Sequence, residues 1–289
     1  MHIKRNFARY SHLSGEDVFL YRNLGEFLDQ VPDTGISSIL YGQGTLDLQL
    51  IDRKSENLVV VFHAAADPAK TTLPIFVGHG ITKNLDASVL FVSDPSLDFG
   101  IPIGWFAGDN NRHLQDDLTE VIRHIANGLG ADNIIFQGSS AGGFAALFYS
   151  HAFPDSLAIP VNPQTDISKY HPDKVLKYIN TCWGGVHPTP SQAHTNMLET
   201  YSSSFPNYAL FLQNRKDHFH LDNHYRPWAE LFSESYGERW CTLQGDWGEG
   251  HAAPPAHLQE VVLQFCLSFS GRWDELMRED DFNDGIAFS

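Results

Sequence analysis

Apolar residues along this chain fall into short unbroken runs, separated by polar turns and by stretches of helical spacing. Leu58-Val59-Val60-Val61-Phe62 is one run, Ser88-Val89-Leu90-Phe91-Val92 a second and Asn133-Ile134-Ile135-Phe136 a third. Runs that are apolar and β-branched at nearly every position fit strands covered on both faces, as in a parallel sheet. Residues 157–161, 208–212 and 240–243 are further strands of this kind. Between them, Leu114, Leu118, Val121, Ile122, Ile125 and Leu129 share one helical face, and Gly128 and Gly130 mark its end. Residues 141–150 are small and apolar, and 225–232 and 257–269 are amphipathic. Earlier in the chain the pattern predicts a short helix over 24–31. A hairpin follows, running from 38–41 through Gly42-Gln43-Gly44 to 46–51, where apolar residues alternate. Strands alternating with helices predict an α/β fold with a mainly parallel central sheet and helices on both faces. The expected organisation is an N-terminal extension over 1–57 that leads into the sheet, a core over 58–271 and a peripheral acidic tail over 272–289.

Composition narrows the function classes. With 42% hydrophobic residues among 289, the chain can bury a sizeable core, which excludes wholesale disorder. Its 35 acidic against 19 basic residues give a formal charge of -16, which argues against nucleic acid or an anionic membrane as partner. The longest apolar run, 58–66, is interrupted by His63 and falls far short of the ~20 residues a bilayer span needs. No secretory leader is expected from the polar start, and the reading is a cytoplasmic protein. Cys182, Cys241 and Cys266 are odd in number and form no CxxC, which fits reduced, buried thiols better than a nucleophile.

The chemistry is concentrated at Gly138-Ser139-Ser140-Ala141-Gly142-Gly143. A strand runs into this segment and a helical pattern leaves it, the context of a nucleophile elbow. Ser140 is the expected nucleophile. The flanking glycines permit a turn too tight for Cβ atoms, and the N–H of Ala141 at the helix start can stabilise an oxyanion. Ser139 is out of register and reads as structural. A serine needs a base, and the base needs an orienting acid. Asp217 lies in a polar segment after the strand 208–212, and His251 lies in the glycine-rich loop 244–251 before the last helix. In the order Ser, acid, His, these two are the expected partners, with Asp166 and Asp222 as competing acids. The strand ending Val61-Phe62-His63-Ala64-Ala65 supplies a second oxyanion N–H from Ala64 or Ala65, while His63 either contacts substrate or holds the loop from the core. Trp105, Asn214, His220 and Trp247 are the other expected substrate contacts, with Trp105 lining a sugar or apolar pocket or else belonging to the core. The cluster Asp217, His218, His220, Asp222 and His224 lacks a helical zinc-binding spacing, so no metal is expected, and no organic cofactor is implied.

The elbow, the His63-Ala64 loop, Gln213-Asn214-x-x-Asp217-x-x-His220 and Gly250-His251 together resemble the α/β-hydrolase superfamily over about residues 58–270. The acid loop and Gly104-Trp105-Phe106-Ala107-Gly108 are similar to hydrolase-like proteins of bacterial capsule biosynthesis and of accessory secretion systems. This resemblance implies the α/β-hydrolase fold and acyl transfer to or from a glycan or glycoprotein. The expected function is a serine esterase or O-acyltransferase working through an acyl-enzyme on a small-molecule or glycan substrate. The alternative is an inactive fold that serves as a binding or assembly module. Absence of a long apolar insertion disfavours a lipase, and the polar and aromatic loops favour an acylated carbohydrate.

Overall fold

The computed structural model describes residues 5–10 and 17–279. Among these residues nine strands form one sheet: β1 (Val18–Tyr21), β2 (Gly35–Tyr41), β3 (Gly44–Ile51), β4 (Asn57–Phe62), β5 (Ser88–Ser93), β6 (Asn133–Ser139), β7 (Leu157–Val161), β8 (Tyr208–Asn214) and β9 (Trp240–Gly245). Their order is β1-β2-β3-β5-β4-β6-β7-β8-β9. Strands β5, β4, β6, β7, β8 and β9 pair in parallel, and β3 runs antiparallel to both β2 and β5.

Alternation along the central strands divides the core between the two faces. Val59, Val61, Val89, Phe91, Leu157, Ile159, Leu210 and Leu212 belong to one buried cluster, with Val262, Leu263 and Cys266 of the helix Ala256–Ser268. Leu58, Val60, Phe62, Leu90 and Val92 face the other side, against Leu118, Val121, Ile122 and Ile125 of the helix Leu114–Leu129. That second helix ends where Gly130 takes a left-handed conformation at φ 64°. On this same face the helices Ala141–His151 and Arg226–Tyr236 pack with Ala158, Ala209 and Phe211.

The predicted strands are all present, several of them longer than the apolar runs that announced them. The hairpin turns on Gly42-Gln43, and the helix predicted over 24–31 stops at Leu28, short of Pro32. Strand β1 and the helices His79–Thr82, Pro172–Cys182 and Met197–Ser203 are additional to the predicted elements. Pro172–Cys182 buries Val175, Tyr178, Ile179 and Cys182, a helical stripe interrupted by enough polar residues to read as loop. The segment from 272 is not wholly peripheral: Trp273, Leu276 and Met277 are buried against the first cluster, and residues 280–289 of the expected tail lie outside the described residues. No described helix is long and apolar enough to cross a membrane. All three cysteines are free and buried, and burial raises each thiol's pKa, which keeps the reactive thiolate scarce.

Candidate active site

Strand β6 runs directly into the helix Ala141–His151, and Ser140 is the residue at the turn, with φ 57° and ψ -115°. A non-glycine residue rarely holds such a backbone, and it persists only where surrounding contacts fix it. Here the Ser140 N–H donates to Val161 O on the neighbouring strand at 2.9 Å, and Ser140 O accepts from Phe144 N at 3.1 Å. Glycine is required on either side. A Cβ at Gly138 would collide with the backbone of Gly142, and one at Gly142 would collide with the carbonyl oxygens of Phe62 and His63. This second approach brings the end of β4, and with it the His63-Ala64-Ala65 loop, up against the elbow. The first N–H groups of a helix have no intrahelical acceptor, and Ala141 is the first residue of this helix.

Two histidines share one carboxylate near the serine. Asp217 stands at the start of the helical turn His218–His220. Its Oδ2 contacts His251 Nδ1 at 2.5 Å and its Oδ1 contacts His220 Nδ1 at 2.9 Å. The two imidazoles stack, with ring centroids 3.8 Å apart and planes 14° apart. His220 is buried and His251 exposed. The expected hydrogen bond between Ser140 and His251 is not formed. Ser140 Oγ instead accepts from the side-chain amide of Gln164 at 2.8 Å. Gln164, which the sequence reading passed over, lies just beyond β7, the strand that pairs with β6. A position just past the strand next to the nucleophile's was the available signal. The competing acids are engaged elsewhere: Asp166 caps the turn Ile167–Lys169 through Ser168 N at 2.8 Å, and Asp222 pairs with Arg226 at the surface.

The remaining expected contacts separate into exposed and buried positions. Ala64 and Ala65 line a cleft of about 630 Å³ together with Gln137, Ser139 and Gln259. His63 borders the same cleft but is almost fully buried. Its Nε2 accepts from Asp94 N at 3.0 Å, so the ring proton sits on Nδ1, 2.6 Å from Ala64 O. It therefore braces the loop. Trp105 is fully buried at φ 54°, and its indole donates to Gln164 Oε1 at 3.2 Å, which places it behind the serine rather than on a surface. Asn214 is also buried. Its amide donates to Gly248 O and Gly250 O, both at 2.8 Å, and its Oδ1 accepts from Trp247 N at 3.2 Å. It thus ties down the loop that carries His251, while Trp247 packs partly buried against the sheet.

Electrostatics distinguish the titratable groups. Burial opposes ionisation of Asp217, but hydrogen bonds from His220 and His251 outweigh it and hold the carboxyl well below its usual range. Burial lowers His220 against the pull of Asp217, and lowers His63 against its contact with Ala64. Burial, with the charge of His220 added, pushes His224 down to about 3. These three rings are neutral in the fold but take up a proton near pH 6.5 when unfolded. The stability they contribute is therefore complete above about pH 6.5 and is lost as pH falls toward their folded values, by up to about 1.4 kcal/mol per pH unit for each ring. The urea midpoint is expected to be lower at pH 5 than at pH 7.5, with a smaller difference in a His224→Gln variant. An unchanged midpoint between the two pH values would contradict the burial of neutral imidazoles. Among the described residues, Asp217, His220 and His251 also have ligand atoms within 4.8 Å of one another, a spacing that a divalent ion can use, although both Nδ1 atoms are already directed at Asp217.

No family model matches the chain, and no curated protein matches it by sequence. Solved structures do match by shape. The capsule O-acetyltransferase of Neisseria meningitidis serogroup A superposes with TM-score 0.57 at 13% identity, over 83% of this chain and 96% of that one. The Glycosylation Associate Protein (Gap123) complex from Streptococcus agalactiae gives TM-score 0.55 at 13% identity over 86% of this chain, which spans only 48% of the matched chain. A fluorophosphonate-binding serine hydrolase of Staphylococcus aureus gives 0.52 at 11% identity, over 82% of this chain and 99% of that one. With the strand order and the turn at Ser140, these likenesses establish that the chain has the α/β-hydrolase fold.

Proposed function

We propose that this protein is a serine-dependent acyl-transferring enzyme, an esterase or an O-acyltransferase. The observation that carries the reading is Ser140 at positive φ on a strand–helix turn, with the Asp217–His251 contact close by. In the proposed mechanism Ser140 Oγ attacks an acyl carbonyl while His251 takes its proton. Asp217 orients His251 and stabilises the imidazolium that forms. The N–H groups of Ala141 and of Ala64 or Ala65 receive the developing oxyanion, and loss of one such donor typically costs about 3–4 kcal/mol of transition-state stabilisation. His251 then protonates the leaving group. Water or a hydroxyl acceptor, activated by the same imidazole, releases the acyl group in the second half. The absent Ser140–His251 hydrogen bond fits a resting state, because such bonds often tighten only around bound substrate.

For the substrate we favour an acylated carbohydrate, or a sugar hydroxyl as acceptor, over a lipid. Support comes from the amide and hydroxyl groups of Gln137, Gln259 and Ser139 in the cleft beside Ala64 and Ala65, and from the capsule O-acetyltransferase and the glycosylation-associated complex among the structural neighbours. One observation favours a second reading, an inactive binding module: Ser140 Oγ is held by an amide rather than by an imidazole. A series of p-nitrophenyl esters of graded chain length decides between them. Acetyl esters are expected to turn over faster than long-chain esters. Preference for chains of about eight carbons or more would overturn the carbohydrate reading, and no turnover of any ester or acetylated sugar would favour the module.

A further inference from the structure

Gln164 holds a place that the proposed mechanism leaves unexplained. Its side chain is fully buried, and Trp105 Nε1 donates to its Oε1. An indole nitrogen can only donate, so this bond fixes which end of the amide is oxygen. The Nε2 end therefore faces both Ser140 Oγ, at 2.8 Å, and His220 Nε2, at 2.7 Å. An amide nitrogen only donates, so both of these atoms accept. His220 Nε2 thus carries no proton, and the ring's N–H lies at Nδ1, directed at Asp217 Oδ1. His220 accordingly has a free-base nitrogen turned toward the serine and a carboxylate behind it. One group separates them, the Gln164 amide.

We propose that Asp217–His220 is a second acid–base pair for Ser140, masked by Gln164. The inference rests on the serine mechanism proposed above. With the amide in place, His220 is a positioning residue: it anchors Gln164, which occupies one lone pair of Ser140 Oγ and leaves the serine proton to His251. Without the amide, a single water at its nitrogen position would stand 2.8 Å from Oγ and 2.7 Å from His220 Nε2. As Oγ bonds to the acyl carbon and the carbonyl pair moves onto oxygen, the serine proton passes to this water, and a proton of the water passes to His220 Nε2. The bond to the leaving group then breaks as the intermediate collapses, and that group takes the proton back along the same path, leaving the water and the neutral ring. The other groups facing His220 are His251 stacked on it, His224 at 5.4 Å and Tyr170 at 6.1 Å between ring centroids, with the charge of His171 further off. Burial keeps the His220 ring in its neutral form, the form a base requires.

The test is rescue of a disabled enzyme, read with p-nitrophenyl acetate. His251→Ala is expected to lose about 10³-fold or more in kcat. Adding Gln164→Ala, or Gln164→Ser, to His251→Ala is expected to recover at least about tenfold. That gain should vanish when His220→Phe or Ser140→Ala is added. No gain in a folded double variant, a gain that survives His220→Phe, or near-full activity of His251→Ala alone would each overturn the proposal. Equal turnover by wild type and Ser140→Ala would overturn the serine mechanism itself, whereas an active, Ser140-dependent wild type without rescue overturns only the masked pair. Should removal of Gln164 unfold the chain, ¹⁵N spectra of histidine-labelled wild type decide. They are expected to show His220 protonated at Nδ1 and bare at Nε2, and a proton on Nε2 would refute the mask.

Discussion

Replacing Ser140 with alanine is expected to lower turnover of every ester by about 10⁴-fold or more while leaving the fold intact, as happens when the nucleophile is removed from residues acting as one catalytic unit. The fold should survive because the Ser140 backbone contacts, to Val161 O and from Phe144 N, are unchanged, and the Gln164 amide that donates to Oγ keeps His220 Nε2 as an acceptor. Alanine also tolerates positive φ about as poorly as serine, so the substitution adds little strain. Thermal unfolding midpoints within a few degrees of wild type, alongside lost turnover, would match this expectation. Retention of most activity would remove Ser140 from the mechanism and direct attention to Ser139.

Asp217→Asn should have an effect of similar size, about 10³–10⁴-fold in kcat, by a different route. The carboxylate accepts from both imidazoles, one on each oxygen. An asparagine offers one acceptor and one donor, so one ring must turn its bare nitrogen to the new N–H and place its proton on Nε2. A ring in that tautomer cannot take the serine proton, and the charge that stabilises an imidazolium is gone as well. Asp166→Asn and Asp222→Asn serve as controls: the first loses part of a turn cap and the second a surface pair with Arg226, so both should stay within about tenfold of wild type. Activity of Asp217→Asn within tenfold of wild type would contradict the role given to this carboxylate.

How far the sequence disclosed this arrangement depended on the range of the interactions involved. Strands β4 to β9 were legible because burial on both faces demands apolar side chains at consecutive positions, a local signal. The elbow was legible because its glycines are required by steric contacts within the same few residues, Gly138 against Gly142. Asp217 and His251 could be named from the order of elements, although they are far apart in sequence. Gln164 and the engagement of His220 could not, since each depends on side chains meeting across strands: Gln164 reaches Ser140 from 24 residues away and His220 from 56. For Trp105 the sequence left two readings open, the lining of a sugar or apolar pocket and a place in the core. Its left-handed backbone, shared with Phe106, turns the indole inward, and no residue type announces such a conformation in a bulky side chain. Strand β1 was missed because at the sheet edge it buries no face fully, so its short run carries no alternation.

Reaction with a fluorophosphonate reads out whether Ser140 Oγ is an activated nucleophile, since the probe needs only that oxygen, its base and an oxyanion site. Intact-mass and peptide measurements on the wild-type protein are expected to show one phosphonyl adduct, on Ser140, that forms more slowly in His251→Ala and not at all in Ser140→Ala. No adduct on the folded wild type, or an adduct that persists in Ser140→Ala, would show that Ser140 is not the nucleophile.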